Sequence, residues 1–324
     1  MKKLKPRKAP GLGLVTAQIL QHCPKKVFVL LTYIFNASFR LKYFPSDWKT
    51  AKVILIPKPG KPPDEVSSYR PISLLSTFSK ILEKLLHARL FAVIQDLGIL
   101  PLHQFGFRPK HSTLEQAHRV VNYIRNALEA KQYCPAVFLD VRQAFDKVWH
   151  AGLLHKISQY LPHSFVEFLT SYLSDRRFEV HFGEAVSTPR PIAAGIPQGS
   201  VLGPLLYLLF TADVPKIPGV LVATFADDTA LLAADPNQTV ATAKLQTAVN
   251  KIVRWIIRWR IELNAAKSQY VQFALRVCQP LSLHLATQTL HPVPEARYLG
   301  ILIDSRFTWR PHITAKIREV KLRF

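Results

Sequence analysis

Two short apolar runs that meet at a pair of aspartates constrain the fold of this chain more than any other feature. Residues 220–226 and 229–234 each have the length and composition of a buried strand, and Asp227 and Asp228 stand between them. Runs joined by so short a link predict a β-hairpin, although the turn contains no glycine. The adjacent carboxylates at its tip need water or a cation, because burying them unpaired is costly.

The segments around the hairpin predict the sheet to which it belongs. An apolar run at 136–141 places Asp140 near the end of a strand, and short strands are also predicted near 270–273 and 298–304. An amphipathic helix is predicted to begin at Asp235-Pro236. Its apolar positions at helical spacing are Leu245, Val249, Ile252, Ile256 and Trp259. The order strand, helix, hairpin, helix and strand is typical of a split βαβ sheet with helices on one face.

The remaining segments predict further elements. Ser112 and Glu115 have the spacing of a capping box, which predicts the start of a helix that continues to about residue 131. The other predictions are a strand at 51–56, a helix at 76–94, helical structure at 153–175 with a break near Pro162, a strand at 178–182, a Gly/Pro loop at 195–203 and a buried helix that begins at 205–210.

The composition favours a polyanionic partner. The chain has 43 lysines and arginines against 21 acidic residues, so its formal net charge is +22 and its pI is near 10.1. This excess favours nucleic acid over a membrane surface, since there is no basic amphipathic anchor and no apolar run of about 18 residues. A ribosomal-type structural protein is the alternative. The three scattered cysteines predict neither a disulfide framework nor a zinc site, and they favour a reducing compartment.

Three aspartates form a candidate metal site. If the strand that carries Asp140 lies beside the hairpin, its carboxylate meets those of Asp227 and Asp228. Such a cluster suits two Mg²⁺ ions bridged by substrate phosphates. One ion would then lower the pKa of an attacking hydroxyl, and the other would stabilise a leaving pyrophosphate. For the hairpin tip taken alone, a turn that is simply exposed to water is the alternative.

Seven segments in order resemble the sequence motifs of reverse transcriptases, and most of all those of non-LTR (LINE-type) retrotransposons of the jockey kind. Segments 138–146, 195–204, 225–228, 263–268 and 298–301 resemble motifs A, B, C, D and E, and 69–75 and 104–108 resemble motifs of the fingers. The resemblance covers about residues 45–305. It implies an α+β fold with the fingers and palm of a right-hand polymerase, the palm being a split βαβ antiparallel sheet backed by helices.

The resemblance also implies how the chain is divided. Residues 1–135 are expected to form mainly the fingers, and 136–310 the palm, with a helical insertion between fingers and palm at about 151–200. Residues 311–324 are expected to be the start of a truncated thumb that is largely missing. The basic stretch at 2–8 is a candidate nuclear localisation signal, with a solvated basic face as the alternative.

Individual residues take roles from the same resemblance. Asp140, Asp227 and Asp228 are the expected catalytic carboxylates and, with the Val141 carbonyl, the expected ligands of two Mg²⁺ ions, for which Mn²⁺ is a substitute. The expected nucleotide-binding residues are Arg70 and Lys58 at the triphosphate, Phe145 as a steric gate against the ribose 2′-OH, Gln198 and Gly199 beside the incoming nucleotide and template base, and Lys267 as proton donor to pyrophosphate. Tyr298, Leu299 and Gly300 are expected to support the primer strand.

The function implied is RNA-directed DNA polymerase, which adds dNTPs to a primer 3′-OH by a two-metal mechanism. The expected partners are an RNA template, a DNA primer, dNTPs and the element RNA as a ribonucleoprotein, without a membrane, in the nucleus and in cytoplasmic ribonucleoprotein. A non-catalytic RNA-binding remnant of such an element is the alternative. An RNA-dependent RNA polymerase is a third reading that Asp146 favours, whereas Phe145 and the sequence around Asp227 oppose it.

Overall fold

The computed structural model describes residues 9–322 and divides them into two compact units. Unit 1 comprises 9–100 and Phe145–Thr211, and unit 2 comprises Pro101–Ala144 and 212–322. The basic stretch at 2–8 and the last two residues of the predicted thumb lie outside the described residues. Among the helices that are described, none combines the length and the apolar character that a bilayer crossing needs.

The helices and strands have the following bounds. The helices are α1 (Ala17–Gln21), α2 (Lys25–Leu41), α3 (Thr77–Asp96), α4 (Thr113–Glu129), α5 (His150–Ser158), α6 (His163–Leu173), α7 (Gly203–Phe210), α8 (Gln238–Arg258) and α9 (Arg310–Lys321). The strands are β1 (Thr50–Pro57), β2 (Tyr69–Leu74), β3 (Cys134–Leu139), β4 (Arg177–Phe182), β5 (Ala185–Val186), β6 (Arg190–Pro191), β7 (Val220–Phe225), β8 (Asp228–Ala233), β9 (Gln269–Phe273), β10 (Leu283–Leu285), β11 (Gln288–Leu290), β12 (Glu295–Tyr298) and β13 (Ile301–Asp304). Single turns of 3₁₀ helix lie at Ser46–Trp48 and Val66–Ser68.

The compact units do not follow the linear subdomain boundaries that the resemblance implies. Residues 101–135, assigned to the fingers, fall in unit 2, and residues 145–200, assigned to the palm and its insertion, fall in unit 1. The chain therefore passes between the units more than once, and no single cut separates them. The assignment of the names fingers, palm and thumb to these ranges stays a prediction.

Unit 1 is built around a sheet with β1 at its centre. Strand β1 pairs antiparallel with β2 and parallel with β4, and β4 pairs antiparallel with β5 and with β6. The predicted helical break is confirmed, since Pro162, with an extended ψ of 142°, is the N-cap of α6. The predicted strands at 51–56 and 178–182 and the helix at 76–94 are also confirmed, each within a few residues. The buried helix α7 ends at Phe210 rather than continuing.

Unit 2 contains the predicted split βαβ sheet. Its four strands lie in the order β7-β8-β3-β9, and every neighbouring pair is antiparallel. On one face the apolar side of α8 packs against the strands. On the other face α4 packs together with the β12–β13 pair. Helices therefore cover both faces of the sheet, not one face as expected. The side chains of β3 and β8 are apolar on both faces, so each face has to be buried against other elements.

The ends of the unit 2 helices follow local chemistry. The predicted capping box is present at α4, where the Ser112 side chain accepts from the Glu115 N–H and the Glu115 carboxylate accepts from the Ser112 N–H. Helix α8 starts later than predicted, with Asn237 rather than Asp235 as the N-cap, because the Asn237 side chain accepts two backbone N–H groups. Trp259 is the C-cap residue of α8 and lies outside the core, whereas Trp255 packs against the core.

The strand predicted at 298–304 is instead a hairpin. Strand β12 ends at Tyr298, β13 begins at Ile301, and Tyr298 pairs with Ile301. Leu299 and Gly300 form the turn with φ values of 46° and 86°, so both have left-handed backbone conformations. Two consecutive positive φ values are typical of two-residue hairpin turns. Because the turn contains only one glycine, the sequence did not indicate it clearly.

Candidate active site

The predicted aspartate hairpin is present in unit 2. Phe225 pairs with Asp228 at the ends of β7 and β8, so Ala226 and Asp227 form a two-residue turn. Ala226 has a φ of 57°, a left-handed conformation that costs a residue with a Cβ about 1–2 kcal/mol. A turn of this kind persists only where surrounding groups hold it.

The side chain of Gln104 stabilises this turn through hydrogen bonds. Its Oε1 accepts from the Ala226 N–H at 2.9 Å and from the Gly106 N–H at 2.8 Å, and its Nε2 donates to the Ala226 carbonyl at 3.3 Å. Gly106 lies so close to the turn that a Cβ there would stand 2.1 Å from the Ala226 nitrogen. Glycine at 106 therefore permits the approach that lets Gln104 bind both polar groups of Ala226.

Helix α4 and the 103–106 segment fix the strand that leads into the turn. The Gln116 amide donates to the Thr224 carbonyl at 3.0 Å, and the Arg119 guanidinium donates to the Val222 carbonyl at 3.2 Å. The Phe105 N–H also donates to the Thr224 carbonyl, at 2.9 Å. Strand β7 is at the edge of the four-stranded sheet, so these bonds engage carbonyls that a neighbouring strand would otherwise take.

Asp140 directly follows β3, the strand next to the hairpin. Leu139 pairs with Thr229, so extending the antiparallel register by one residue places Asp140 opposite Asp228. The segment that resembles motif D fixes the backbone of Asp140: its N–H donates to the Ser268 hydroxyl at 3.2 Å, and its carbonyl accepts from the Asn264 N–H at 2.8 Å. Register and backbone bonds thus bring the three predicted carboxylates to one end of the sheet.

The electrostatics show that these carboxylates interact. Burial raises the pKa of Asp227, and the negative charge of Asp140 raises it further. The pKa of Asp228 rises to about 6, mainly through partial burial and then through the charges of Asp227 and Asp140, although its side chain still reaches solvent. No lysine or arginine of residues 9–322 forms an ion pair with any of the three. Their mutual repulsion is therefore not offset by an ion pair with a cationic side chain of the described residues.

The donor set fits a hard divalent cation. All three side chains offer carboxylate oxygens, which Mg²⁺ prefers. In the described part of the chain, no three acidic, histidine or cysteine side chains, these aspartates included, lie close enough together to hold a metal ion by themselves. Mg²⁺ in phosphate-transferring sites commonly takes only one or two carboxylates and completes its shell with water and substrate phosphates, so an open arrangement is compatible with it.

In unit 1, the end of motif A is joined to motif B. Phe145 stacks on Tyr207 of α7 with 4.8 Å between ring centroids, and its carbonyl accepts from the Ile196 N–H at 2.8 Å. The Gln198 amide donates to both carboxylate oxygens of Asp146, at 2.8 and 2.9 Å. At Gly195, where φ is 89°, a Cβ would stand 2.5 Å from the Asp146 carbonyl oxygen. The predicted gate and the predicted template-side glutamine are therefore held in one hydrogen-bonded assembly.

A buried carboxyl group fixes the other end of motif B. Glu83 of α3 is fully buried and accepts from the Val201 N–H at 2.7 Å, the Leu202 N–H at 3.2 Å and the Ser79 hydroxyl at 2.8 Å. Burial raises the pKa of Glu83, and these hydrogen bonds and the charge of Arg176 oppose the rise. Leu202 is the N-cap of α7, so the carboxyl group occupies the place where a helix N-terminus favours negative charge.

A cavity of about 290 Å³ opens beside this assembly within unit 1. Its walls are mostly apolar, and Asp146, Gln198 and Ser73 supply polar groups. The backbone of Ser73 in β2 donates to the Gln198 carbonyl at 3.0 Å, so the cavity connects the β1–β2 pair with the motif B loop. Its other walls come from Val53, Leu55, Pro71, Phe178, Val180, Ile192 and residues 194–197.

Comparison with known proteins shows the family of the chain. The sequence model of the family described as "Reverse transcriptase (RNA-dependent DNA polymerase)" matches residues 56–303. The chain belongs to the reverse transcriptase family. It is 44% identical over 316 residues to the Drosophila melanogaster "Probable RNA-directed DNA polymerase from transposon X-element", covering 95% of this chain and 34% of that protein. It is 41% identical to the Drosophila funebris "RNA-directed DNA polymerase from mobile element jockey", covering 97% and 35%.

The fold has a solved counterpart as well. "Structure of apo telomerase from Candida Tropicalis truncated from C-terminal domain" matches with a TM-score of 0.54 and 14% identity, covering 86% of this chain and 59% of that one. This likeness shows the fold alone and confirms the predicted polymerase class of α+β fold. The chain spans about a third of the length of the curated relatives it matches.

The other predicted site residues of this reverse transcriptase chain lie as follows. Arg70 on β2 and Lys58 after β1 lie in unit 1, Arg70 being exposed and Lys58 partly so. Lys267 lies in unit 2, exposed and next to Ser268, which contacts the backbone of Asp140. Tyr298 is buried in the sheet core, with its hydroxyl donating to the Ala223 carbonyl at 3.3 Å.

Sequence reasoning missed two residues that position the site. Gln104 lies inside a segment that resembles a fingers motif, and nothing local indicates that its partner is Ala226, 122 residues away. Glu83 left a clearer signal, because it falls on the same helical stripe as Ser79, Leu86 and Leu90, all of which are buried. A glutamate within a buried stripe predicts a specific partner.

Proposed function

We propose that this chain carries the RNA-directed DNA polymerase activity of a non-LTR retrotransposon and adds dNTPs to a primer 3′-OH. The observation that supports this most is the register of β3 and β8, which places Asp140 beside Asp228 at the Asp227 turn. In a reverse transcriptase, carboxylates at this position bind the cations that the chemistry requires. An exposed turn without function does not explain why a third carboxylate is fixed beside it by two backbone hydrogen bonds.

Asp140, Asp227 and Asp228, with the Val141 carbonyl, would hold two Mg²⁺ ions, or Mn²⁺ in their place. Bound there, the ions supply Lewis-acid activation of the primer hydroxyl and charge stabilisation at the pyrophosphate. The protein contributes the placement: the turn held by Gln104 fixes Asp227, and Ser268 and Asn264 fix Asp140. Lys267, exposed on the segment that holds Asp140, would donate a proton to the leaving pyrophosphate.

The unit 1 residues would bind and select the nucleotide. Arg70 is exposed and forms no ion pair with any described residue, so its guanidinium is available for triphosphate oxygens, with Lys58 as a second cation. The ring of Phe145, fixed by stacking on Tyr207, would exclude a ribose 2′-OH by its volume. Gln198 and Gly199 would face the base pair, with the adjacent cavity beside them.

The partners follow from this activity. They are an RNA template, a DNA primer, dNTPs and the element RNA in a ribonucleoprotein, in the nucleus and in cytoplasmic particles. The +22 formal charge supports binding to such polyanions. The hairpin turn of Leu299 and Gly300 would support the primer strand, since Gly300 is exposed whereas Tyr298 is buried.

A primer-extension assay tests the proposal. The purified chain is given an RNA template annealed to a DNA primer, Mg²⁺ and labelled dNTPs, beside Asp227→Ala. Glu129→Ala is the matched control, because it removes an exposed carboxylate of the same unit that lies on α4 away from the turn. We expect extension by the unmodified chain and by Glu129→Ala, and none by Asp227→Ala.

The outcomes separate the candidate functions. If the unmodified chain incorporated no more dNTP than Asp227→Ala, the proposed polymerase activity of this chain would be contradicted. Tight template binding without synthesis would favour the RNA-binding remnant instead. If NTPs were incorporated as readily as dNTPs, Phe145 would not be the gate, and a Phe145→Val variant would show no further gain with NTPs.

A further inference from the structure

A separate recess lies in unit 2 against helix α8, and it shares no residue with the aspartate site. It has a volume of about 420 Å³, within the range of about 300–1,000 Å³ typical of ligand pockets. We call it the α8 pocket; its walls are Asp213, Pro215, Lys251, Arg254, Trp255, Arg258 and Trp259. The helical members are three and four residues apart, so they share one face of α8.

Two tryptophans give this pocket its aromatic walls. Trp255 is held in orientation by its indole N–H, which donates to the Asp213 carboxylate at 3.0 Å. Trp259, at the C-cap, is only partly buried and takes no part in the core cluster under α8. Trp255 also packs against the core under α8, whereas the ring of Trp259 is not required by packing of the sheet and offers a flat apolar face to a ligand.

Three cations surround these rings. Lys251, Arg254 and Arg258 are exposed, and none forms an ion pair with any described residue. Against these three cations the pocket walls offer one carboxylate, that of Asp213, so the recess carries an excess of positive charge. Cations near a helix C-terminus also stabilise the helix dipole, which explains Arg258 but not the two aromatic walls.

We propose that the α8 pocket binds single-stranded RNA, with an unpaired base stacked on Trp259 or Trp255 and the flanking phosphates bound by Lys251, Arg254 and Arg258. Stacking on an aromatic side chain together with phosphate binding is the general way in which proteins hold unpaired strands. An acidic peptide would use the cations but not the flat faces. The choice of RNA over DNA rests on the proposed function, because the strand to be copied is RNA that is unpaired before it is copied.

Equilibrium binding tests this on the full chain. The probe is a fluorescein-labelled oligouridylate of eight nucleotides, measured by anisotropy while unlabelled primer–template duplex saturates the polymerase site. One variant is the double Arg254→Gln, Arg258→Gln, and the other is Trp259→Ala. The matched control is Arg125→Gln with Arg276→Gln, which removes the same charge from two exposed arginines of unit 2 elsewhere. Thermal melting verifies that each variant is folded.

We expect each pocket variant to weaken RNA binding about tenfold, and the control less than twofold. The arginine variant should also reduce the dependence of affinity on salt, by a slope of about 0.7 for each phosphate that the variant no longer neutralises. Equal weakening in the pocket variants and the control, or no weakening, would overturn the proposal. Equal or tighter binding of oligodeoxyuridylate would overturn the choice of RNA.

Primer extension by the same variants on a short template should be unchanged. This assay separates the two proposals. If no variant extended the primer but RNA binding still depended on the α8 pocket, only the polymerase proposal would be contradicted. If Trp259→Ala does not fold, the arginine variant alone decides.

Discussion

The aspartate turn and the motif B loop are each held by one buried polar side chain, but one side chain is a neutral amide and the other is an ionisable carboxyl group. Gln104 binds the N–H and the carbonyl of Ala226 with a neutral amide, whereas Glu83 binds two N–H groups and a hydroxyl with a carboxyl group. Both residues are more than nine-tenths buried, and both reach across more than 100 positions of the sequence.

The difference follows from what each loop presents. Three carboxylates already lie at or beside the aspartate turn, and burial, together with their mutual repulsion, raises the pKa of Asp227 and Asp228. A neutral clamp adds no further negative charge there. The motif B loop leads into the N-terminus of α7, where unsatisfied N–H groups and the helix dipole favour an anion. The charge of the clamp is therefore matched to its surroundings.

The sharpest way to separate charge from structure at the aspartate turn is Asp227→Asn. Loss of a cation ligand should reduce primer extension by about 10³-fold or more. The same change relieves repulsion among the carboxylates, so we expect the metal-free protein to melt at a higher temperature. Extension rates and melting curves without Mg²⁺ measure the two effects. A large fall in both would mean that Asp227 is structural.

Removal of the Glu83 clamp should have the largest effect on stability. Glu83→Ala leaves two N–H groups and the Ser79 hydroxyl without their acceptor in a buried site, and we expect a loss of about 3 kcal/mol in the free energy of unfolding. Glu83→Gln keeps one acceptor oxygen and should lose less. Urea unfolding at pH 7 compares the two. If both variants unfolded like the unmodified chain, Glu83 would not hold the loop.

Local sequence signals predicted most elements, but not the two clamps. The capping box at Ser112, the break at Pro162 and the aspartate hairpin each depend on neighbours within a few positions, and each was confirmed. The partner of Gln104 depends on how β7 is placed at the sheet edge. That placement is a long-range property, so no local pattern indicates it.

Three elements differ from the sequence prediction for local reasons. The β12–β13 hairpin was predicted as one strand because Leu299, a poor residue for a left-handed turn, masked the turn at Gly300. Trp259 has the spacing of the apolar stripe, but α8 ends at Arg258. Trp259 therefore does not continue the buried face of the helix. The N-cap of α8 is Asn237, whereas the sequence favours an earlier start because Asp235 is also a good capping residue.

Two substitutions at Gln104 test whether its neutrality matters. Gln104→Ala removes the bonds that hold Ala226 in its left-handed conformation, and we expect a loss of about 2 kcal/mol in stability with reduced extension. Gln104→Glu keeps an acceptor but loses the donor and adds a charge near the aspartates. It should reduce extension more than Gln104→Ala does. Similar rates for the two variants would show that charge at this clamp is unimportant.

Tyr298→Phe should have the smallest effect and sets the baseline for the clamps. The hydroxyl donates a long hydrogen bond to the Ala223 carbonyl, while the ring centroid lies 5.4 Å from that of Phe138. Because Ala223 also pairs with Ala230 in the hairpin, losing this bond should cost about 0.5–1 kcal/mol and leave extension within about twofold. A selective rise in the KM for primer would mean that the hydroxyl reaches the primer strand. An unchanged KM would leave primer support to the backbone of the turn at Gly300.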